Sequence, residues 1–232
     1  MTKIKQTTAF EHKTVAREIA SLLLEINAVH VRPDQPFTLT SGLMSPVYID
    51  CRKIISFPAA RRQIIGHACA YLCKETGEVD IIAGGETAGI PFAAWLAERL
   101  QAPMIYVRKK PKGFGRDAAI EGTFADGARV LLVEDLATDG GSKLAFGQTL
   151  KKAGADPRYA FAIFYYDIFP NVPERLAQVG MKLGYLCTWW DVLTSLRTRG
   201  KHSNQDIDTI ESFLREPLAW SAHHGGIASL NR

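Results

Sequence analysis

The stretch RVLLVEDLATDGGSKL (129–144) places two carboxylates, Glu134 and Asp135, directly behind an apolar run and ahead of Gly140, Gly141 and Ser142. The glycines allow a sharp turn and let a ligand come close to the backbone. A helix opening near Ser142 presents unpaired N–H groups and the positive end of its dipole, which suits a phosphate. Thr138 and Ser142 add hydroxyl donors. The carboxylates cannot favour a phosphate; they suit hydroxyl groups, a cation or a developing positive charge. A phosphate at one end and hydroxyls at the other describe a ribose 5-phosphate. The stretch contains neither G-x-x-x-x-G-K-[ST] nor G-x-G-x-x-G, so it is not a Walker loop or a dinucleotide turn.

A second stretch, RKKPKGFGR (108–116), holds Arg108, Lys109, Lys110, Lys112 and Arg116 with no acidic residue. The chain has 28 basic and 24 acidic residues, a net charge of +4. Without these five, 23 basic residues face 24 acidic ones, so the whole surplus sits on one loop. Gly113 and Gly115 leave that loop able to change shape. Alone, such a run reads as a solvated turn or a nucleic-acid patch. No second basic patch and no helix-turn-helix signature support the latter. A third loop, GGETAGIP (84–91), is rich in glycine. No Ser-His-Asp arrangement is visible, so any catalysis rests on positioning and electrostatics.

These loops need a scaffold. Val15, Ile19, Leu22, Leu23, Ile26 and Val29 recur at helical spacing, which predicts a helix over about 14–30. Residues 37–50 form a turn-punctuated segment with strand-like pieces, and Pro58 opens a helix reaching about Lys74. Strands are expected at 79–84, 103–108, 129–135, 158–166 and 181–187. Helices are expected at 91–100, 142–153, 173–179, 189–199 and 204–215. Short continuous apolar strands alternating with helices indicate a parallel α/β sheet, whose ligands sit outside the carboxyl ends of the strands.

At 232 residues the chain is expected to form one domain. Its parts are a hood at 14–57, a core at 58–187 and C-terminal helices at 188–232. No apolar run is long enough to cross a membrane, and the N-terminus lacks the apolar core of a secretory signal. A cytoplasmic protein is expected. Cys51, Cys69, Cys73 and Cys187 have no zinc-site spacing and read as buried or half-buried free thiols.

VLLVEDLATDGGS is similar to the PRPP-binding signature of type I phosphoribosyltransferases. Within that superfamily, FTLTSGLMSPVYIDCRK, IAGGETAGIP and YVRKKPKGFGRDAAIEG resemble the orotate phosphoribosyltransferase family in order and spacing. The resemblance runs from about residue 15 to about 187. It implies an α/β fold with a parallel Rossmann-like central sheet flanked by helices and a small N-terminal hood. The implied reaction moves the phosphoribosyl group of PRPP to orotate, giving orotidine 5′-monophosphate and diphosphate in UMP synthesis. Carried over, the catalytic candidates are Asp135, Lys109 and Glu134. The two acids contact the ribose hydroxyls, with Asp135 close to the charge developing at C1. Ala137, Thr138, Asp139, Gly140, Gly141 and Ser142 cradle the 5-phosphate, and Leu136 joins them among the PRPP-binding residues. Thr138 also touches orotate, with Tyr48 a second candidate there. Arg108, Lys109 and Lys112 match the diphosphate-binding cations of a mobile loop that closes over the neighbouring subunit's site. A homodimer with shared sites follows from that likeness. Mg²⁺ is implied as cofactor, held mainly through PRPP and water with no direct protein ligands.

Four residues depart from the family pattern: Thr40 before the hood Ser-Gly, Phe114 in the basic loop, Ile168 after a core strand, and Asp139 in the phosphate loop. Thr40 and Ile168 leave the orotate carboxylate without an assigned partner, although Arg52 stands near the hood. They keep open a different base specificity on the same fold. The basic loop keeps open a PRPP-sensing regulator that binds nucleic acid. Asp139 is unfavourable beside a dianion by about 1 kcal/mol in water at 4 Å unless it points outward.

Overall fold

The computed structural model describes residues 2–110 and 119–230. Lys112, Gly113, Phe114, Gly115 and Arg116 lie outside the described residues. In chain order come α1 (Thr2–Glu25), β1 (Val29–Val31), β2 (Phe37–Thr38), β3 (Met44–Ser45) and β4 (Val47–Ile49). A 3₁₀ turn (Cys51–Ser56), α2 (Pro58–Glu75), β5 (Ile81–Gly85), α3 (Gly89–Leu100), β6 (Met104–Val107) and β7 (Ile120–Glu121) follow. Then come β8 (Arg129–Ala137), α4 (Gly141–Lys152), β9 (Asp156–Tyr165), α5 (Val172–Ala177) and β10 (Lys182–Thr188). The chain closes with α6 (Trp189–Arg199), α7 (Asn204–Arg215) and α8 (Pro217–His223).

Ile55–Tyr166 with Pro170–Leu186 form one compact unit. Its six-stranded sheet has the order β10-β9-β8-β5-β6-β7. β5 pairs in parallel with β6 and β8, and β8 with β9. At the edge of this sheet β6 and β7 pair antiparallel. β8 is buried from Val130 to Glu134, as continuous apolar runs in a parallel sheet require. The chain steps from β5 to β6 on one side and through β8 and β9 on the other. The strand order therefore reverses between β5 and β8, the position where open α/β sheets form a ligand crevice. The 84–91 and 134–142 segments both emerge there.

At the opposite, N-terminal ends of these strands, Arg129 ties β8 to the start of β5. Its Nε and Nη2 donate to Asp80 at 2.8 and 2.6 Å, and its backbone N–H donates to the same carboxylate at 2.8 Å. The Arg129 hydrogen bonds hold the Asp80 carboxyl well below its ordinary value of 3.8. A depressed carboxylate stabilises the fold above its unfolded pKa and stops doing so as pH falls through the folded one. Asp80→Asn is expected to lower the melting temperature at pH 7 by only roughly 1–3 °C, because the pair is solvent-screened. The difference from the parent shrinks below about pH 4. Thermal melts across that range, with PRPP and orotate KM unchanged, are the check.

Met1–Ile54, Asp167–Phe169 and Cys187–Arg232 form the second unit. It holds the hood and the C-terminal helices. α1 stops at Glu25, short of the expected 30, because Asn27 turns left-handed at φ 54° and the Ala28 N–H returns to the Leu23 carbonyl. Val29 then enters β1, which pairs antiparallel with β4. Thr188–Asp191 and Ser203–Asp206 form capping boxes that start α6 and α7. Cys51 and Cys187 are buried and Cys69 half-buried, but Cys73 is exposed, against expectation. Among the described residues no helix is long and apolar enough to cross a membrane.

Candidate active site

β8 does not end at the acid pair. Its pairing with β9 continues through Leu136↔Phe164 to Ala137↔Tyr165, which puts Glu134 and Asp135 inside the strand. Consecutive strand residues point to opposite faces. Glu134 is only 7% exposed. Its Oε2 accepts from Ser142 Oγ at 2.9 Å and from Lys143 Nζ. Its Oε1 lies against Gly85, where an added Cβ would meet it at 2.4 Å. Asp135 is half-buried. Leu136 is half-buried, and its carbonyl also accepts from Lys143 Nζ.

The loop that leaves β8 is short. Ala137 is buried, and its carbonyl accepts from the Tyr166 N–H at 2.8 Å. Thr138 and Asp139 are half-buried. Gly140 is left-handed at φ 79° and precedes the first turn of α4, a conformation that favours glycine. The Asp139 carboxylate turns back onto this turn: Oδ1 accepts from the Gly141 N–H at 3.3 Å, with the Thr138 hydroxyl at 3.5 Å. Arg175 of α5 donates to the Asp139 carbonyl at 2.9 Å and lies 3.8 Å from its Oδ2. The unusual acid thus has its own cation and its own N–H. Neither Arg175 nor Lys143 stood out in the sequence, since each is one basic residue in a helix.

Two glycines set the packing of the neighbouring 84–91 turn. A Cβ on Gly84 would meet the Ile90 backbone at 2.8 Å, and one on Gly89 would meet the Val133 carbonyl at 2.3 Å. They let α3 lie tightly on β8, a reason internal to the protein and additional to room for an anion. The Glu86–Thr87 peptide is cis. Glu86 Oε2 accepts from the Lys109 N–H at 2.7 Å, which ties this turn to the root of the basic loop.

The basic loop is the connection of the β6–β7 hairpin, whose short second strand the sequence did not reveal. Arg108 is half-buried, with Nη1 on Glu121 at 3.2 Å; its Nε is buried without a hydrogen-bond partner among the described residues. Lys109 is exposed.

In the hood unit, β2 and β3 make a small hairpin closed by Ser41 and Gly42. The Gly42 N–H donates to the Leu39 carbonyl at 2.8 Å, and its own carbonyl accepts from Ile227 at 3.2 Å. Tyr48 is half-buried, stacked near His30 and tilted against Phe37. Its hydroxyl accepts from Arg52 at 3.2 Å, while Arg52 Nε holds Asp50 at 2.7 Å. Arg52 thus takes the structural-acid partner. Burial, with Lys53 and Arg32 nearby, keeps the His30 imidazole below its ordinary value. Thr40 is exposed and Ile168 buried.

A mostly parallel sheet with an acid pair and a glycine-opened helix at its switch point is the architecture of the type I phosphoribosyltransferases. The adenine phosphoribosyltransferase of Leishmania tarentolae shares the fold at a TM-score of 0.52 and 18% identity, over 65% of this chain and 80% of that one. The orotate phosphoribosyltransferase of Aeropyrum pernix aligns at a TM-score of 0.67 with 29% identity, over 80% of this chain and 99% of that one. No protein-family model matches the chain. The orotate phosphoribosyltransferase of Ruegeria sp. is 54% identical over 208 residues, 89% of this chain and 92% of its own. That of Sinorhizobium fredii is 49% identical over 227 residues, 97% of this chain and 98% of its own. The chain belongs to the orotate phosphoribosyltransferase family.

Proposed function

We propose that the β8–α4 loop binds the ribose 5-phosphate of PRPP and that the β6–β7 connection brings cations to its diphosphate. As a family member, the chain transfers the phosphoribosyl group of PRPP to orotate, giving orotidine 5′-monophosphate and diphosphate in pyrimidine biosynthesis. The bond from C1 to the diphosphate oxygen breaks and its electron pair leaves with diphosphate; a bond from C1 to N1 of orotate forms, and the proton that N1 carried passes to water or to the departing diphosphate. The observation that carries the site reading is the half-buried Asp135, one strand pair from the Gly-rich turn and at the edge of the phosphate loop, at the sheet's switch point.

In this reading Asp135 faces the ribose hydroxyls and the positive charge that builds at C1. Glu134, which the family likeness also gives to the ribose hydroxyls, is instead buried against Ser142 and Lys143 and backs the sugar site from within. Residues Ala137 to Ser142 hold the 5-phosphate through backbone N–H groups and the Thr138 and Ser142 hydroxyls, and Thr138 also meets orotate. Arg108, Lys109 and Lys112 steady the leaving diphosphate. The buried, unpartnered Nε of Arg108 suits an anionic ligand. Mg²⁺, a hard cation that takes oxygen ligands, would be held mainly by the oxygens of PRPP and by water, with no direct protein ligand. Bound there, the ion supplies charge neutralisation on the departing diphosphate. The likeness of the basic loop supports a homodimer in which each chain's Lys109 serves its partner's site.

Asp139 does not need to leave the cradle, because Arg175 offsets its charge. Arg175→Ala is therefore expected to raise the PRPP KM roughly fivefold, the effect of one uncompensated charge at short range. Adding Asp139→Asn returns it toward the parent value. Steady-state kinetics of the three chains check this.

The base is tested by a panel with PRPP and Mg²⁺. Orotate alone among orotate, uracil, adenine and hypoxanthine is expected to be consumed. Turnover of another base without orotate would decide for a different specificity, which Thr40 and Ile168 otherwise leave room for.

A further inference from the structure

Lys143 is 4% exposed and stands in the first turn of α4, where the helix dipole disfavours a cation. A buried ammonium at that place needs compensation. It finds three acceptors in one small space: the Glu134 carboxylate, the Leu136 carbonyl and, at 3.3 Å, the Ser142 hydroxyl. These three belong to both ends of the proposed sugar-phosphate loop. The pleat of β8 sends Glu134 to this inner side, and its neighbour Asp135 to the other. The contact of Glu134 Oε2 with Ser142 fastens the same carboxylate to the start of α4.

We infer that Lys143 is a positioning residue for PRPP, clamping Glu134 and the Leu136 carbonyl so that the β8–α4 loop keeps its shape. The acid pair is thereby divided: Asp135 meets the sugar, and Glu134 acts through Lys143 as the loop's inner anchor. Lys143 also cancels a carboxylate charge beneath a site that must take a phosphate dianion, as Arg175 does for Asp139. The inference rests on the reading of this loop as the PRPP site.

The test is a double-mutant cycle on the full chain with Lys143→Met, Glu134→Gln and both together. Lys143→Met leaves a buried carboxylate unpaired and facing the phosphate loop, so it is expected to raise the PRPP KM by at least about tenfold with orotate KM within about twofold. The double variant, uncharged at both places, is expected to bind PRPP about as well as Glu134→Gln alone. A merely structural Lys143 would lower the melting temperature and the active fraction without a change confined to PRPP KM. Equal changes in both KM values, no change in either, or effects of Glu134→Gln and Lys143→Met that multiply would overturn the inference. So would failure of both Lys143→Met and the double variant to fold. Asp135→Asn, measured beside them, separates the two levels. If it retains full activity, the PRPP-site reading fails; if it is inactive while Lys143→Met is normal, only the role of Lys143 fails.

Discussion

Asp135→Asn lowers kcat by roughly 10²-fold or more, with little change in melting temperature. The reason lies in when the charge matters. In the ground state the ribose is neutral near C1, and an amide can still hydrogen-bond to its hydroxyls. As the diphosphate leaves, C1 gains positive charge, and only a carboxylate stabilises that charge. The interaction is therefore stronger in the transition state than in the bound substrate, so its loss falls on kcat more than on PRPP KM. Asp135 is half-buried, so its field is less screened than that of a surface acid. Steady-state kinetics with thermal melts on parent and variant give the answer; parent-like turnover would remove Asp135 from the chemistry.

Lys109→Ala is expected to lower kcat by a similar factor, about 10²-fold. Here the charge at stake is negative and builds on the leaving diphosphate. Lys109 suits this because its backbone is fixed while its side chain is exposed: the N–H is held by Glu86 at 2.7 Å, at the turn beside the switch point. The loop root is thus anchored, and the ammonium is free to meet an anion. If Lys109 serves the partner's site, mixing Asp135→Asn with Lys109→Ala chains restores activity. Random pairing makes half of the dimers hybrids with one intact site each, so recovery to about a quarter of parent activity is expected. Absence of recovery in exchanged dimers would place Lys109 in its own chain's site.

Much of the scaffold was legible because it follows period and punctuation. Continuous apolar runs marked β5, β8 and β9, and Pro58 marked the start of α2. What could not be read are features set by distant pairing. β8 runs two residues past Asp135 because β9 lies beside it. β7 is two residues long and exists only as the partner of β6. Asn27 ended α1 early through its left-handed turn, although the apolar spacing continued to Val29. At the site, residue types and order identified the acid pair and the phosphate loop. The cations that make them workable, Lys143 and Arg175, come from helices whose sequences gave no sign of which acid they would meet. The glycines of the 84–91 turn show the converse. Their presence was plain in the sequence, yet Gly84 and Gly89 make room for the protein's own backbone.

One kinetic measurement decides whether this chain joins the phosphoribosyl group of PRPP to orotate with Asp135 at the reacting carbon. Orotate loss and diphosphate release are followed together for the parent and Asp135→Asn with PRPP and Mg²⁺. Loss and release are expected to match in the parent, and both to slow by roughly 10²-fold in the variant. Diphosphate release without orotate loss, or equal rates in the two chains, would contradict it.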